Sequence, residues 1–73
     1  MNQIEIFTEY IKLDQSLKLA GIVGQGSDAK MLISEGLVKV NDQICTMRGK
    51  KCRPGDCIEV EDEICFTIIA REE

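Results

Sequence analysis

Arg48, Lys50, Lys51 and Arg53 fall within six residues with no acid among them. This spacing suits one kind of chemistry, the replacement of condensed counterions along a row of phosphates. Cations this close hold a local positive potential whatever the charge of the whole chain. The same four residues also suit a plainer role, a solvated loop whose charges keep the chain soluble. The other reactive side chains offer less. Without a histidine the usual general base is absent, and no Ser, Cys or Lys has an evident activating partner, so no enzyme is expected. Cys45, Cys52, Cys57 and Cys65 are separated by six, four and seven residues with no C-x-x-C pair, which argues against zinc. Cys52 and Cys57 flank a Pro-Gly turn where small apolar residues would sit, and are expected to be structural and buried. No metal and no cofactor is expected.

Charge is distributed unevenly along the chain. The net charge is −4, but residues 1–11 carry −2, residues 12–53 carry +4 and residues 54–73 carry −6. A basic middle therefore lies between acidic ends. Hydrophobic residues make up 44% and charged residues 30% of 73 residues, an ordinary globular composition with room for one domain and a modest core. No apolar run approaches the ~18 residues of a membrane span, and the N-terminus lacks the basic-then-apolar order of a signal peptide. A cytoplasmic location with free thiols is expected.

The elements that must position the cations are short. Ile4, Ile6 and Tyr10 to Lys12 read as extended segments. Asp14 reads as the N-cap of a two-turn helix with Leu13, Leu17, Ala20 and Gly21 on one face. Gly24-Gln25-Gly26 breaks that helix and feeds Ser27, the expected cap of a second one, with Asp28 in its first turn. Ala29, Leu32, Ile33 and Gly36 recur at offsets of three, four and seven, with Lys30 and Ser34 turned away. Gly36 sits where a left-handed C′ residue would end the helix. Period 3.6 then becomes period 2 through Val38, Lys39 and Val40, and Asn41-Asp42-Gln43 turns the chain back through Ile44. After the basic loop, Pro54-Gly55 reads as a turn, Cys57 to Val60 as a strand, and Glu61-Asp62-Glu63 as an acidic turn. Ile64, Phe66, Ile68 and Ala70 form one face of a last strand. The expected fold class is α+β, two short packed helices followed by a small, mostly antiparallel β-sheet.

Several of these pieces, in this order, resemble the RNA-binding domain named after small-subunit ribosomal protein S-four. They are Lys12-Leu13-Asp14, Gly21, Ala29-Lys30 with Leu32-Ile33, Glu35-Gly36-Leu37-Val38-Lys39-Val40-Asn41, and Pro54-Gly55-Asp56 before Cys57-Ile58-Glu59-Val60. The match covers a core motif of about residues 12–60 within a single domain of residues 1–73. The whole chain is similar to small stand-alone bacterial members of the YaaA and YbcJ type. The resemblance implies the αL motif, a two-helix and β-hairpin unit whose basic surface faces structured RNA. Enzymes that carry this domain, such as pseudouridine synthases and tyrosyl-tRNA synthetases, join it to a large catalytic domain that these residues do not contain. Where many relatives carry Ser-Arg ahead of the second helix, this chain has Gln25-Gly26, and the intact basic loop would have to compensate.

On this reading the RNA-binding candidates are Lys12, Lys18, Lys30, Arg48, Lys50, Lys51 and Arg53. Lys39, on a strand, is as readily a solvated lysine. One tyrosine and two phenylalanines supply little stacking surface, which favours recognition of folded RNA by shape over reading of single strands. The expected partners are structured RNA, ribosomal or transfer RNA, and ribosomal particles. No membrane or DNA partner is expected, and the expected state is a monomer. The alternative from another class is a protein-interaction module that holds a partner through the acidic and apolar C-terminal hairpin.

Overall fold

The computed structural model describes residues 2–71. Chain order is β1 (Asn2–Ile6), β2 (Ile11–Lys12), α1 (Leu13–Leu19), α2 (Gly26–Ser34), β3 (Val38–Val40), β4 (Gln43–Ile44), β5 (Lys51–Cys52), β6 (Cys57–Val60) and β7 (Ile64–Ala70). Five strands form one sheet in the order β1-β7-β6-β3-β4, and β2 pairs with β5 in a second, two-stranded sheet. All pairings are antiparallel except β1 with β7, which run parallel with Ile4 opposite Ile68. The architecture is the α+β one that the sequence implies.

Alternation decides which face of the sheet is covered. Ile4, Ile6, Val38, Val40, Ile58, Val60, Phe66 and Ile68 point inward and form one core with Leu13 and Leu17 of α1, Ala29 and Ile33 of α2, and Cys52. The two helices thus pack together on one side of the sheet through the apolar faces that their periodicity predicts. Lys39, Cys57, Glu59, Cys65 and Thr67 alternate to the other side and are half-buried.

Both helices end in the same way. The Gly36 N–H donates to the Ile33 carbonyl at 3.1 Å and the Leu37 N–H to the Leu32 carbonyl at 3.1 Å, the paired bonds of a Schellman motif. Gly36 takes the left-handed φ of 76° that this ending requires. The Gly21 N–H bonds the Lys18 carbonyl at 3.0 Å and the Ile22 N–H the Leu17 carbonyl at 3.1 Å, again with φ of 76° at the glycine. Gly21 is therefore the C′ residue of α1 and exposed, not part of its packed face.

The helix starts differ from the sequence reading. α1 begins at Leu13 with Lys12 as N-cap, and α2 begins at Gly26 with Gln25 as N-cap; neither cap residue makes a side-chain capping bond. Asp14 lies inside the first turn, where its Oδ1 accepts the Gln15 N–H at 2.8 Å. Ser27 is likewise one residue inside α2.

Candidate nucleic-acid interface

The reason that Asp14 does not cap α1 is also the reason that the basic loop has a fixed position. The Leu13 N–H donates to the Lys50 carbonyl at 2.9 Å and the Asp14 N–H to the Arg48 carbonyl at 3.2 Å. Two of the orphan donors at the start of α1 are thus satisfied by the backbone of the loop rather than by a side chain. With its carbonyls turned to the helix, the loop leaves the side chains of Arg48 and Lys50 exposed.

The pairing of β2 with β5 completes the attachment. Ile11 lies opposite Cys52, which is fully buried, and Lys12 lies opposite Lys51 on the exposed face. Burial pushes the Cys52 thiol up to about 11, so it is a neutral core group, as its place beside the turn predicts. The Lys12 and Lys51 ammonium groups are like charges directly across a strand pair, an arrangement that costs stability until an anion relieves it. The Lys51 Nζ stands 5.0 Å from the centre of the Tyr10 ring, and this cation–π contact holds it in place.

A groove of about 420 Å³ lies between the β3–β4 hairpin and the basic loop. Lys50, Lys51 and Arg53 line it, together with Ile44 and Met47; these two apolar residues are 62% and 67% exposed. Asp56 also borders the groove, but its carboxylate is occupied within the fold. Its Oδ1 accepts the Asn41 Nδ2–H at 3.1 Å and its Oδ2 the Arg53 backbone N–H at 2.8 Å. Among the described residues, none of the seven candidate cations is paired with a carboxylate; the ion pair present is Lys39 with Asp62 at 2.9 Å.

All seven candidates are exposed, and the fold gathers five of them. Lys12, Arg48, Lys50, Lys51 and Arg53 cluster around the start of α1 and the groove, whereas Lys18 and Lys30 stand on the two helices outside the groove. Sequence reasoning missed Tyr10, Ile44 and Met47. Met47 carried a signal, an unbranched apolar side chain next to a run of cations; Tyr10 carried none, because its role depends on a lysine 41 positions away.

The acidic turn lies at the other end of β6. Residues 48–53 and the Pro54-Gly55 turn lead into Cys57, and Glu61-Asp62-Glu63 leave from Val60. Part of this acidity is neutralised locally, since the Lys39 ammonium holds the Asp62 carboxyl below its usual range and a hydrogen bond with Asp62 raises that of Glu59.

A small α+β module with two packed Schellman-ended helices, a short hairpin and an exposed basic loop defines a class. The S4 domain family model matches residues 4–69, and the chain belongs to that family. It is 43% identical over 68 residues to the probable ribosome maturation protein RlbA of Bacillus subtilis strain 168, covering 93% of this chain and 96% of that protein. It is also similar to small ribosomal subunit protein uS4 of Gloeothece citriformis, with 34% identity over 53 residues, and of Synechocystis sp., with 33% over 52. Those matches take in 73% and 71% of this chain and 26% of each uS4 protein. Among the described residues, no helix is long and apolar enough to cross a membrane, and no group of His, Cys, Asp or Glu side chains is arranged to hold a metal ion.

Proposed function

We propose that this chain is a non-catalytic RNA-binding protein of the cytoplasm that recognises structured RNA, ribosomal RNA or a ribosome assembly intermediate, as a monomeric single domain. The observation that carries this reading is the exposed cluster of Lys12, Arg48, Lys50, Lys51 and Arg53, without a carboxylate partner among the described residues, its loop anchored to α1 through two backbone hydrogen bonds. A preorganised set of cations binds phosphates without the entropic cost of ordering a loop. Lys18 and Lys30 extend the surface along the helices. The names of the relatives, a ribosome maturation protein and two ribosomal proteins, support a ribosomal setting, and the absence of histidine supports a binding role over a catalytic one.

A mobility-shift titration with folded ribosomal RNA fragments alone, repeated across a salt series, tests the proposal. With roughly four to six phosphate contacts, log affinity falls against log salt with a slope of about −0.7 to −0.9 per contact. A flat salt response overturns the electrostatic reading. No shift with RNA alone, together with binding to protein-bearing ribosomal particles, favours the adaptor reading in its place.

A further inference from the structure

The outer face of the sheet carries a chemistry that RNA binding does not use. Cys57 on β6 and Cys65 on β7 have their Sγ atoms 2.9 Å apart. The register explains the contact: Cys57 pairs with Thr67 and Glu59 with Cys65, so the two thiols are diagonal neighbours on one face of an antiparallel pair. Both are half-buried rather than enclosed. Cys57 therefore does not fill the core, contrary to the expectation from the turn that it flanks. The other two cysteines differ. Cys52 is fully buried with its thiol directed to the Lys50 carbonyl at 3.6 Å, and the Cys45 thiol is directed to the Met47 carbonyl at 3.7 Å.

We propose that Cys57 and Cys65 form an oxidisable dithiol, a site that a small-molecule disulfide such as glutathione disulfide converts reversibly into an intramolecular cross-link between β6 and β7. The reaction balances as two thiol–disulfide exchanges. One of the two sulfurs attacks one sulfur of glutathione disulfide, forming a mixed disulfide and releasing one glutathione. The neighbouring sulfur, 2.9 Å away, then attacks the first and releases the second glutathione. The protein loses two electrons and two protons, and glutathione disulfide gains both. The resulting bond would be only half-buried, and accessible disulfides are the more readily reduced ones. The cross-link is thus expected to follow the thiol–disulfide balance of the surroundings.

The test is oxidation of the folded full chain in glutathione buffers of graded disulfide content, with rapid acid quenching, intact mass and non-reducing peptide mapping. The expected product is a monomer lighter by two hydrogens, with a Cys57–Cys65 link, with Cys45 and Cys52 still free, and with full reversal by excess glutathione. Cys57→Ser and Cys65→Ser chains should each stop at one glutathione adduct on the remaining partner. The unfolded chain in urea is the control, because there the shorter separation makes Cys52–Cys57 the favoured link. A native chain that links Cys52 to Cys57, forms covalent dimers, or leaves Cys57 and Cys65 unlinked while its disulfide buffer oxidises a reference dithiol overturns the proposal.

Discussion

Asn41 and Asp56 hold hands across the base of the basic loop: the Asn41 Nδ2–H donates to Asp56 Oδ1 at 3.1 Å, while Asn41 Oδ1 accepts the Cys57 N–H at 2.9 Å. These two residues end the Val38-Lys39-Val40-Asn41 and Pro54-Gly55-Asp56 segments, and their contact ties the hairpin turn to the Pro-Gly turn. Asn41→Ala should cost about 1–2 kcal/mol, from two lost hydrogen bonds near ~1 kcal/mol each, partly offset by water, and from a φ of 52° that alanine tolerates poorly. Asn41→Gly should recover only the backbone part. Urea melts of the three chains check this order, and equal midpoints for Asn41→Ala and the parent would remove the latch.

The two Schellman endings make a matched prediction. Gly21→Val and Gly36→Val should each lose about 1–2 kcal/mol, because a β-branched residue is forced to φ of 76°. Space is not the obstacle: a Cβ at Gly21 meets nothing within 4 Å, and one at Gly36 meets the Ile44 Cγ2 at 3.7 Å. Gly24→Ala, without a left-handed φ and with open space, should be neutral or stabilising by up to about 1 kcal/mol. Thermal melts distinguish the two outcomes.

Lys50→Glu combined with Lys51→Glu should weaken RNA binding and flatten its salt slope by roughly 1.4–1.8, the share of two phosphate contacts. Folding should change little. The lost contact of Lys51 with Tyr10 is worth about 0.5–1 kcal/mol at an exposed site, and an acid opposite Lys12 replaces a like-charge pair by an attractive one. A melting temperature unchanged within a few degrees beside a lost gel shift is the expected result.

Neutralising the acidic turn by Glu61→Gln, Asp62→Asn and Glu63→Gln should raise affinity for unrelated RNA modestly and leave the footprint on a specific RNA unchanged. Asp62→Asn also releases the Lys39 ammonium, so most of the gain should come from that single change. Salt-dependent filter binding of the single and triple variants separates the contributions.

Acid should dissolve the Lys39–Asp62 pair. The folded state lowers the Asp62 pKa, chiefly through the hydrogen bond from Lys39. The pair's contribution is therefore complete above the ordinary aspartate value of 3.8 and is lost as pH falls through the lower folded value. Glu59, raised by its hydrogen bond with Asp62, acts with the opposite sign: its contribution fades as pH rises through its folded value. Lys39→Gln should melt slightly below the parent at pH 6, and the gap should close toward pH 2. A gap that widens in acid would contradict the pairing.

What was legible in the sequence was what local chemistry decides. Gly36, the Val38–Val40 strand, the Cys57–Val60 strand and the core position of Phe66 each follow from a spacing within one element. The seven cations were legible as exposed because charge alone keeps them at the surface. The helix starts were not, since the donors of α1 are satisfied by carbonyls of Arg48 and Lys50, which no window around Asp14 contains. The Tyr10–Lys51 contact, the gathering of Lys12 with Lys51 and the Cys57–Cys65 pair depend on strand register, which arises only when distant segments meet.

The parallel pairing of β1 with β7 joins segments far apart in the chain. Asn2 pairs with Phe66, 64 positions later, and β7 separates β1 from every other strand of the sheet. Within the sheet, β1 therefore has no strand partner until β7 is in place. The helices and the β3–β4 hairpin close over short loops and can form early. The β1–β7 seam, which closes over the longest span, is expected to close last, so substitutions in Ile4 or Ile6 should speed unfolding while leaving the folding rate nearly unchanged.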